Sequence, residues 1–376
     1  MTNEADHHLL RWLSLAHTPG LGLVGASRLL AAYGDIEALF RAGLDDLSAR
    51  GVRRETALAL TRRTGLAPAR QELARIRRAG IHCLTRSDPA YPSLLQEISD
   101  PPLILYGQGD LAALRQPALA VVGARSASVY GRKMAETLAG DLAATGITVI
   151  SGGALGIDSA AHQGALAAPD GRTVAVLGCG LDVIYPPQNK KLFAMIAATG
   201  MLLSEYPLGT RPEPFRFPAR NRIISGIAVG TVVIEAARRS GSLITAEMAL
   251  DQGREVFAVP GRADSSKSEG CHRLIQEGAK LVHRSADILA ELALSPLPAQ
   301  SQILSGPEPA APPVPDGDAA AILAVLDEYP RDIEEIIAAC RLPAQRVNAV
   351  LLELELLGRV ETEPGPQYRK TSSPAA

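Results

Sequence analysis

From Ala118 onward, short apolar runs alternate with longer amphipathic stretches. The runs are ALAVVG (118–123), ITVIS (147–151), RTVAVLG (172–178), GMLLSE (200–205), GTVVIEA (230–236), EVFAVPG (255–261) and AKLV (279–282). Most are apolar throughout and rich in Val and Ile, the pattern of strands covered on both faces. They recur at intervals of about 22 to 30 residues, which leaves room for a crossover helix between successive strands. This pattern predicts an α/β architecture with a doubly wound, mostly parallel sheet. Right-handed crossovers then gather the loops after the strands along one edge, where ligands of such sheets bind.

The flanking segments read differently. Residues 1–80 alternate apolar helical turns with glycine breaks and predict a small all-helical domain. Within it, TPGLGLVGASRLL (Thr18–Leu30) has the form of a helix-hairpin-helix or SAM-like turn. Such a turn can offer backbone amides to a DNA phosphate, or its glycines can serve packing alone. Residues 81–117 form a bridge rich in prolines and turn residues, leading into a core that extends to residue 293. Residues 294–317 are rich in Pro, Ala and Ser and predict a linker. Residues 318–370 follow with helix, turn, helix, a third helix over 344–357 and a hairpin, the winged-helix pattern; 371–376 are a tail. That third helix carries Arg346 and Asn348 but also Glu353 and Glu355. It is a poor phosphate surface, so a protein-interaction role is favoured over duplex binding.

Composition narrows the picture without naming a ligand. The chain has 38 Lys and Arg against 40 Asp and Glu, a net charge of −2, so no global positive field marks it for nucleic acid. At 47% hydrophobic residues it can bury a sizeable core. Cys83, Cys179, Cys271 and Cys340 form no CxxC pair, which argues against structural zinc and a disulfide framework. The N-terminus is polar and no apolar run approaches the roughly 18 residues of a membrane span. A cytoplasmic protein with no membrane partner is expected.

The loops after the strands hold the candidate chemistry. Gly123, Arg125 and Ser126 follow the first run, with a helix begun by Ser126 or Ser128; a helix start beside an arginine suits an anion. After the second run, SGGALGID supplies Ser151, Gly152 and Gly153, an anion nest, and Asp158. Asp158 and His162 share a helix face and could be an acid–base pair, but a capping role for Asp158 is the favoured reading. The loop is neither GxGxxG nor a Walker A sequence. Asn189, Lys190 and Lys191 open a further helix. In FRFPARNRIISG, Arg220, Asn221 and Arg222 interleave with Phe217, a combination that suits single strands through phosphate contacts and base stacking. Ser240, Gly241, Ser242 and Thr245 form a second small-residue cradle. Two cradles with several cations exceed what one mononucleotide needs. No metal set, no cofactor motif and no nucleophile–base constellation stands out.

These motifs, VVGARSASVYG, VISGGALGIDSAAHQGAL, AVLGCGLDVIYPPQNKKL, LLSEYPLGTRPEPFRFPARNRIISG, VVIEAARRSGSLITAEMAL and VFAVPG, resemble in their order those of the DprA/Smf family of DNA-processing proteins. The resemblance covers nearly the whole chain and is strongest from Ala118 to Ile288. It implies an extended Rossmann-like core that binds single-stranded DNA during transformation and recombination. It also implies loading of the recombinase RecA, displacement of single-strand-binding protein and a homodimer through the core. The family's basic phosphate-binding positions match Arg125, Lys191 and Arg220. No catalysis is implied. Two other readings remain: a nucleoside-monophosphate-cleaving enzyme, echoed by Thr245 and Glu247 in SGSLITAE, and a nucleotide-sensing regulator.

Overall fold

The computed structural model describes residues 4–292, 317–327, 330–340, 342–357, 359–363 and 367–371. The chain divides into two compact units, Met1–Ser301 and Gln302–Ala376. The expected linker falls almost wholly outside the described residues, as does the tail after Thr371.

In the first unit, six helices come first: α1 (Glu4–Ala16), α2 (Leu23–Tyr33), α3 (Ile36–Arg41), α4 (Leu44–Ala49), α5 (Arg54–Thr61) and α6 (Leu66–Ala79). The bridge then forms strand β1 (His82–Thr85), the short helix α7 (Ser93–Gln96) and strand β2 (Ile104–Gly109). The alternating part follows as β3 (Ala118–Gly123), α8 (Val129–Ala144), β4 (Thr148–Ser151), α9 (Ile157–Ala167), β5 (Thr173–Leu177), α10 (Lys190–Thr199) and β6 (Met201–Ser204). It continues with α11 (Arg216–Ile227), β7 (Gly230–Ile234), α12 (Gly241–Asp251), β8 (Glu255–Ala258), α13 (Glu269–Gln276), β9 (Lys280–Leu281) and α14 (Ser285–Glu291). Each of the seven expected strands is present.

The sheet order is β1-β2-β6-β5-β4-β3-β7-β8-β9. From β3 to β9 every pairing is parallel. The bridge hairpin adds β2 antiparallel to β6 and β1 antiparallel to β2. These two strands were not legible from the chain pattern, because each is a short segment among prolines. Winding runs outward from β3 through β6, then returns through α11 to β7 on the other side of β3. That reversal opens a crevice at the carboxyl ends of β3 and β7.

Both faces are covered. Leu119, Val121, Val149, Val232 and Ile234 pack with α8, α9 and α14. Ala120, Val122, Ile150, Val174 and Val233 pack with α11, α12 and α13. The N-terminal helices share a third cluster with the sheet, in which Trp12, Leu13 and Ile76 join Ile104, Tyr106, Leu177 and Phe193. At that junction the buried Glu72 carboxylate accepts from the Tyr106 hydroxyl at 2.5 Å and from the His17 ring. Among the described residues no helix is long and apolar enough to cross a membrane.

The second unit is a winged helix: α15 (Asp318–Val325), β10 (Arg331–Asp332), α16 (Ile333–Cys340), α17 (Ala344–Leu356), β11 (Val360–Glu363) and β12 (Gln367–Lys370). Its sheet order is β10-β12-β11. Val347, Val350, Leu351 and Leu354 turn one face of α17 onto Ile322 and Ile336. On its open face Arg346 is paired with Asp318 at 2.6 Å, and Glu353 and Glu355 are exposed.

The Glu72 hydrogen bond raises the pKa of His17 above its ordinary 6.5. A raised folded value means that this contact stabilises fully below about pH 6.5 and is lost as pH rises through the elevated value. Thermal unfolding followed by circular dichroism should therefore show a midpoint that falls above pH 6.5. The His17→Gln variant should lose that component of the pH dependence.

Candidate nucleic-acid interface at the carboxyl edge

Helix α11 sets the geometry of the crevice. Phe217, Arg220, Asn221 and Ile224 stand at i, i+3, i+4 and i+7 and present one face to a cavity of about 350 Å³. The opposite wall is Gly123 at the end of β3, Arg125, and Ala154 and Asp158 after β4; Ser240, Gly241, Ser242 and Thr245 at the start of α12 complete it. A second cavity of about 190 Å³ is lined by Ser126, Gly152, Gly153 and Tyr185, with Arg125, Ala154, Phe217 and Arg220 shared between the two.

Arg220 is the buried centre. It is 4% exposed, and its Nη1 donates to the Gly152 carbonyl at 2.7 Å. Its Nε has no hydrogen-bond partner. Burial lowers its pKa to about 10 despite the favourable charge of Asp158. Burial likewise pushes the Asp158 carboxyl up, against the pull of Arg220 and of the Ala154 amide it accepts at 3.2 Å. Gly152 allows this approach: a Cβ there would lie 2.7 Å from Asp158 Oδ2 and 2.8 Å from Arg220 Nη2. Gly153 sits at φ +67°, and a Cβ there would meet the Phe193 ring at 2.8 Å.

Three helix starts converge here, and two are already occupied. Glu235, just after β7, accepts from the Ser128 amide at 2.8 Å and from its hydroxyl, which places a carboxylate at the start of α8. The expected anion site at that helix start is therefore filled from within, and Arg125 itself is the group left facing outward. Asp158 fills the loop before α9. It is not the N-cap, a position held by Gly156; its carboxylate turns back to the Ala154 amide. The start of α12 has no internal carboxylate among the described residues; Ser240 caps it and bonds the Ser242 hydroxyl at 2.7 Å.

Other expected residues lie elsewhere. Arg222 is two positions from Arg220, about 200° around the helix, so it cannot share the cavity face. It is instead bound to Asp100 at 2.8 Å and Glu205 at 2.6 Å, tying the bridge to the end of β6. Asn189 is buried and donates to the Gly153 carbonyl and Ser159 hydroxyl, both at 2.9 Å, so it orders the loop. Ser151 is buried and donates to the Val121 carbonyl at 2.6 Å. Lys190 and Lys191 are exposed on the first turn of α10, outside both cavities. His162 is fully buried against Thr173 at 2.7 Å, and burial lowers its pKa to about 3, so it makes no acid–base pair with Asp158.

The exposed surface of the site is aromatic and cationic. The Arg125 guanidinium lies 5.6 Å from the Phe217 ring centroid, and Tyr185 lies 5.4 Å from the same ring. Phe215 is 68% exposed, with Arg216 over it at 5.4 Å. Tyr185 belongs to the stretch that also holds Lys190, where the lysines are the stronger charge signal in the sequence. Glu235 is not legible as a site residue in the sequence, because its role depends on a contact across 107 residues.

A family model described as DNA recombination-mediator protein A matches residues 82–293, and one for the DprA winged helix domain matches residues 306–366. Protein Smf of Synechocystis sp. is 36% identical over 392 residues, covering 96% of this chain and 98% of its own. Among solved structures, DNA processing protein A from Streptococcus pneumoniae aligns with a TM-score of 0.67 at 39% identity, over 77% of this chain and 98% of that one. DNA processing protein A from Helicobacter pylori, described for a unique single-stranded DNA binding mode, aligns with a TM-score of 0.52 at 32% identity, over 57% and 95%.

The two arginines of the site should separate in stability. Arg220→Ala strands the buried Asp158 carboxylate and is expected to cost about 3–5 kcal/mol in urea denaturation. Arg125→Ala loses only a surface contact to Phe217 and should stay within about 1 kcal/mol of the parent.

Proposed function

This chain belongs to the DNA recombination-mediator protein A family, DprA/Smf, and from that premise we propose that it binds single-stranded DNA along the carboxyl edge of its parallel sheet. The observation that carries the reading is the cluster of Tyr185, Phe217 and Arg125, two tilted rings and a guanidinium, beside the open start of α12. Aromatic faces accept any base, while guanidinium and backbone amides hold phosphate without regard to sequence. The single-stranded DNA binding described for the Helicobacter pylori relative supports it.

On this reading the protein protects incoming strands in the cytoplasm, displaces single-strand-binding protein and loads RecA, as a homodimer through the core and without a cofactor. The role is that of a binding protein. Asp158 is the one carboxylate lining the larger cavity among the described residues, and it is turned back to the Ala154 amide with the Arg220 charge favouring its ionised form. Glu247, which a nucleotide-cleaving enzyme would need there, is exposed and lines neither cavity. The winged helix, with Arg346 neutralised and its acidic face outward, fits a protein partner better than a duplex.

Fluorescence anisotropy with a labelled single strand and its duplex, across a salt series, tests the reading. Tight, salt-steep single-strand binding with weaker duplex binding is expected. Arg125→Glu should weaken it at least about tenfold, and Phe217→Ala should cost about 1–3 kcal/mol of stacking. A folded Arg125→Glu variant with parental affinity would overturn the assignment. Nucleation of RecA filaments on strands coated with single-strand-binding protein checks the loading role.

A further inference from the structure

Between Arg53 and Arg78 stand eight arginines and two carboxylates, Glu55 and Glu72, a local net charge of +6 on a chain whose total is −2. All eight arginines are exposed, whereas Glu72 is buried at the Tyr106 junction. Ion pairs account for two of them, Arg75 with Asp182 at 3.5 Å and Arg77 with Asp6. Arg53, Arg54, Arg62, Arg63, Arg70 and Arg78 have no acidic partner among the described residues.

The helices hold these charges outward. Helix α6 buries Ala69, Glu72, Leu73 and Ile76, one stripe at i, i+3, i+4 and i+7, so Arg70, Arg77 and Arg78 project to solvent. Arg63, just past the end of α5, has φ +52°, a left-handed conformation that glycine adopts at lower cost. A bulky cation is retained there against the backbone preference.

One of these arginines, Arg75, reaches the carboxyl edge, from a side of α6 about 140° around from Arg70. Asp182, the partner of Arg75, accepts the Gly209 amide at 2.6 Å and lies in the loop after β5, three residues before Tyr185. We propose that the exposed arginines at the ends of α5 and along α6 are a second set of contacts for nucleic-acid backbone, onto which a strand leaving the carboxyl edge continues. The path of the strand rests on the single-stranded DNA reading above; the affinity of the patch for phosphate does not. Guanidinium groups pair with phosphate oxygens bidentately, and an array of them gains affinity through counterion release. An anionic lipid surface fits less well. Interfacial helices need an apolar face, and none of the exposed large hydrophobic side chains falls between residues 50 and 80.

The test uses the full chain with Arg62→Glu, Arg63→Glu and Arg70→Glu combined, and the same three positions changed to Gln as a milder set. Anisotropy is read on labelled single strands of about 8 and about 40 nucleotides, one short enough to fill the edge alone. Affinity for the short strand should stay within about twofold of the parent. Affinity for the long strand should fall at least about tenfold, with the slope of log K against log salt shallower by about 2. Unchanged binding of the long strand overturns the proposal, as does an equal loss on both lengths. So does a loss confined to phosphatidylglycerol vesicles. Arg125→Glu separates the two readings: if it binds both strands normally while the arginine triple loses the long one, the edge assignment fails and the arginine surface stands.

Discussion

The buried guanidinium of Arg220 holds the crevice together. It projects from α11, donates to the Gly152 carbonyl and faces Asp158, so one side chain joins the returning crossover helix to the loop after β4. A charge so deeply buried is costly unless compensated, and compensation here comes from a carboxylate that is itself buried. The two charges favour each other through space while each bonds the loop backbone, and Gly152 leaves room for both, since a Cβ there would crowd either one. The positions of Phe217, Asn221 and Ile224 follow, because they share a rigid helix face with Arg220.

Occupied helix starts shape what remains free. Glu235 and Asp158 satisfy the amides before α8 and α9, which removes two general-purpose anion sites and makes the loops stiff. The groups still facing solvent are the Arg125 guanidinium, the tilted pair of Tyr185 and Phe217 rings and the amides at the start of α12. A site whose interior charges are paired internally presents cations outward with few of its own carboxylates to compete for them.

Much of the fold is legible in the sequence because strands covered on both faces leave unbroken Val- and Ile-rich runs. The bridge strands β1 and β2 are not, since their pairing is long-range and their flanks are rich in proline. At the site, the loops were legible as glycine-rich cradles, but the linear string FRFPARNR does not reveal which arginine faces inward. Helical geometry sends Arg220 to the crevice and Arg222 to Asp100 and Glu205. Asn189 and Ser151 read as binding residues because buried and exposed amides and hydroxyls look alike in a string. The arginine concentration of α5 and α6 disappears when charge is averaged over 376 residues.

The bridge hairpin has a bearing on how this molecule meets others. A parallel sheet normally ends in a strand whose amides and carbonyls invite another chain to pair. Here β6 is capped by the antiparallel hairpin of β2 and β1, and the far side tapers to the two residues of β9, one of them Lys280. Little unpaired backbone ladder is offered at either margin. Such margins disfavour open-ended strand addition, which propagates into aggregates, and leave contacts with other molecules to side-chain surfaces, where shape and charge can discriminate.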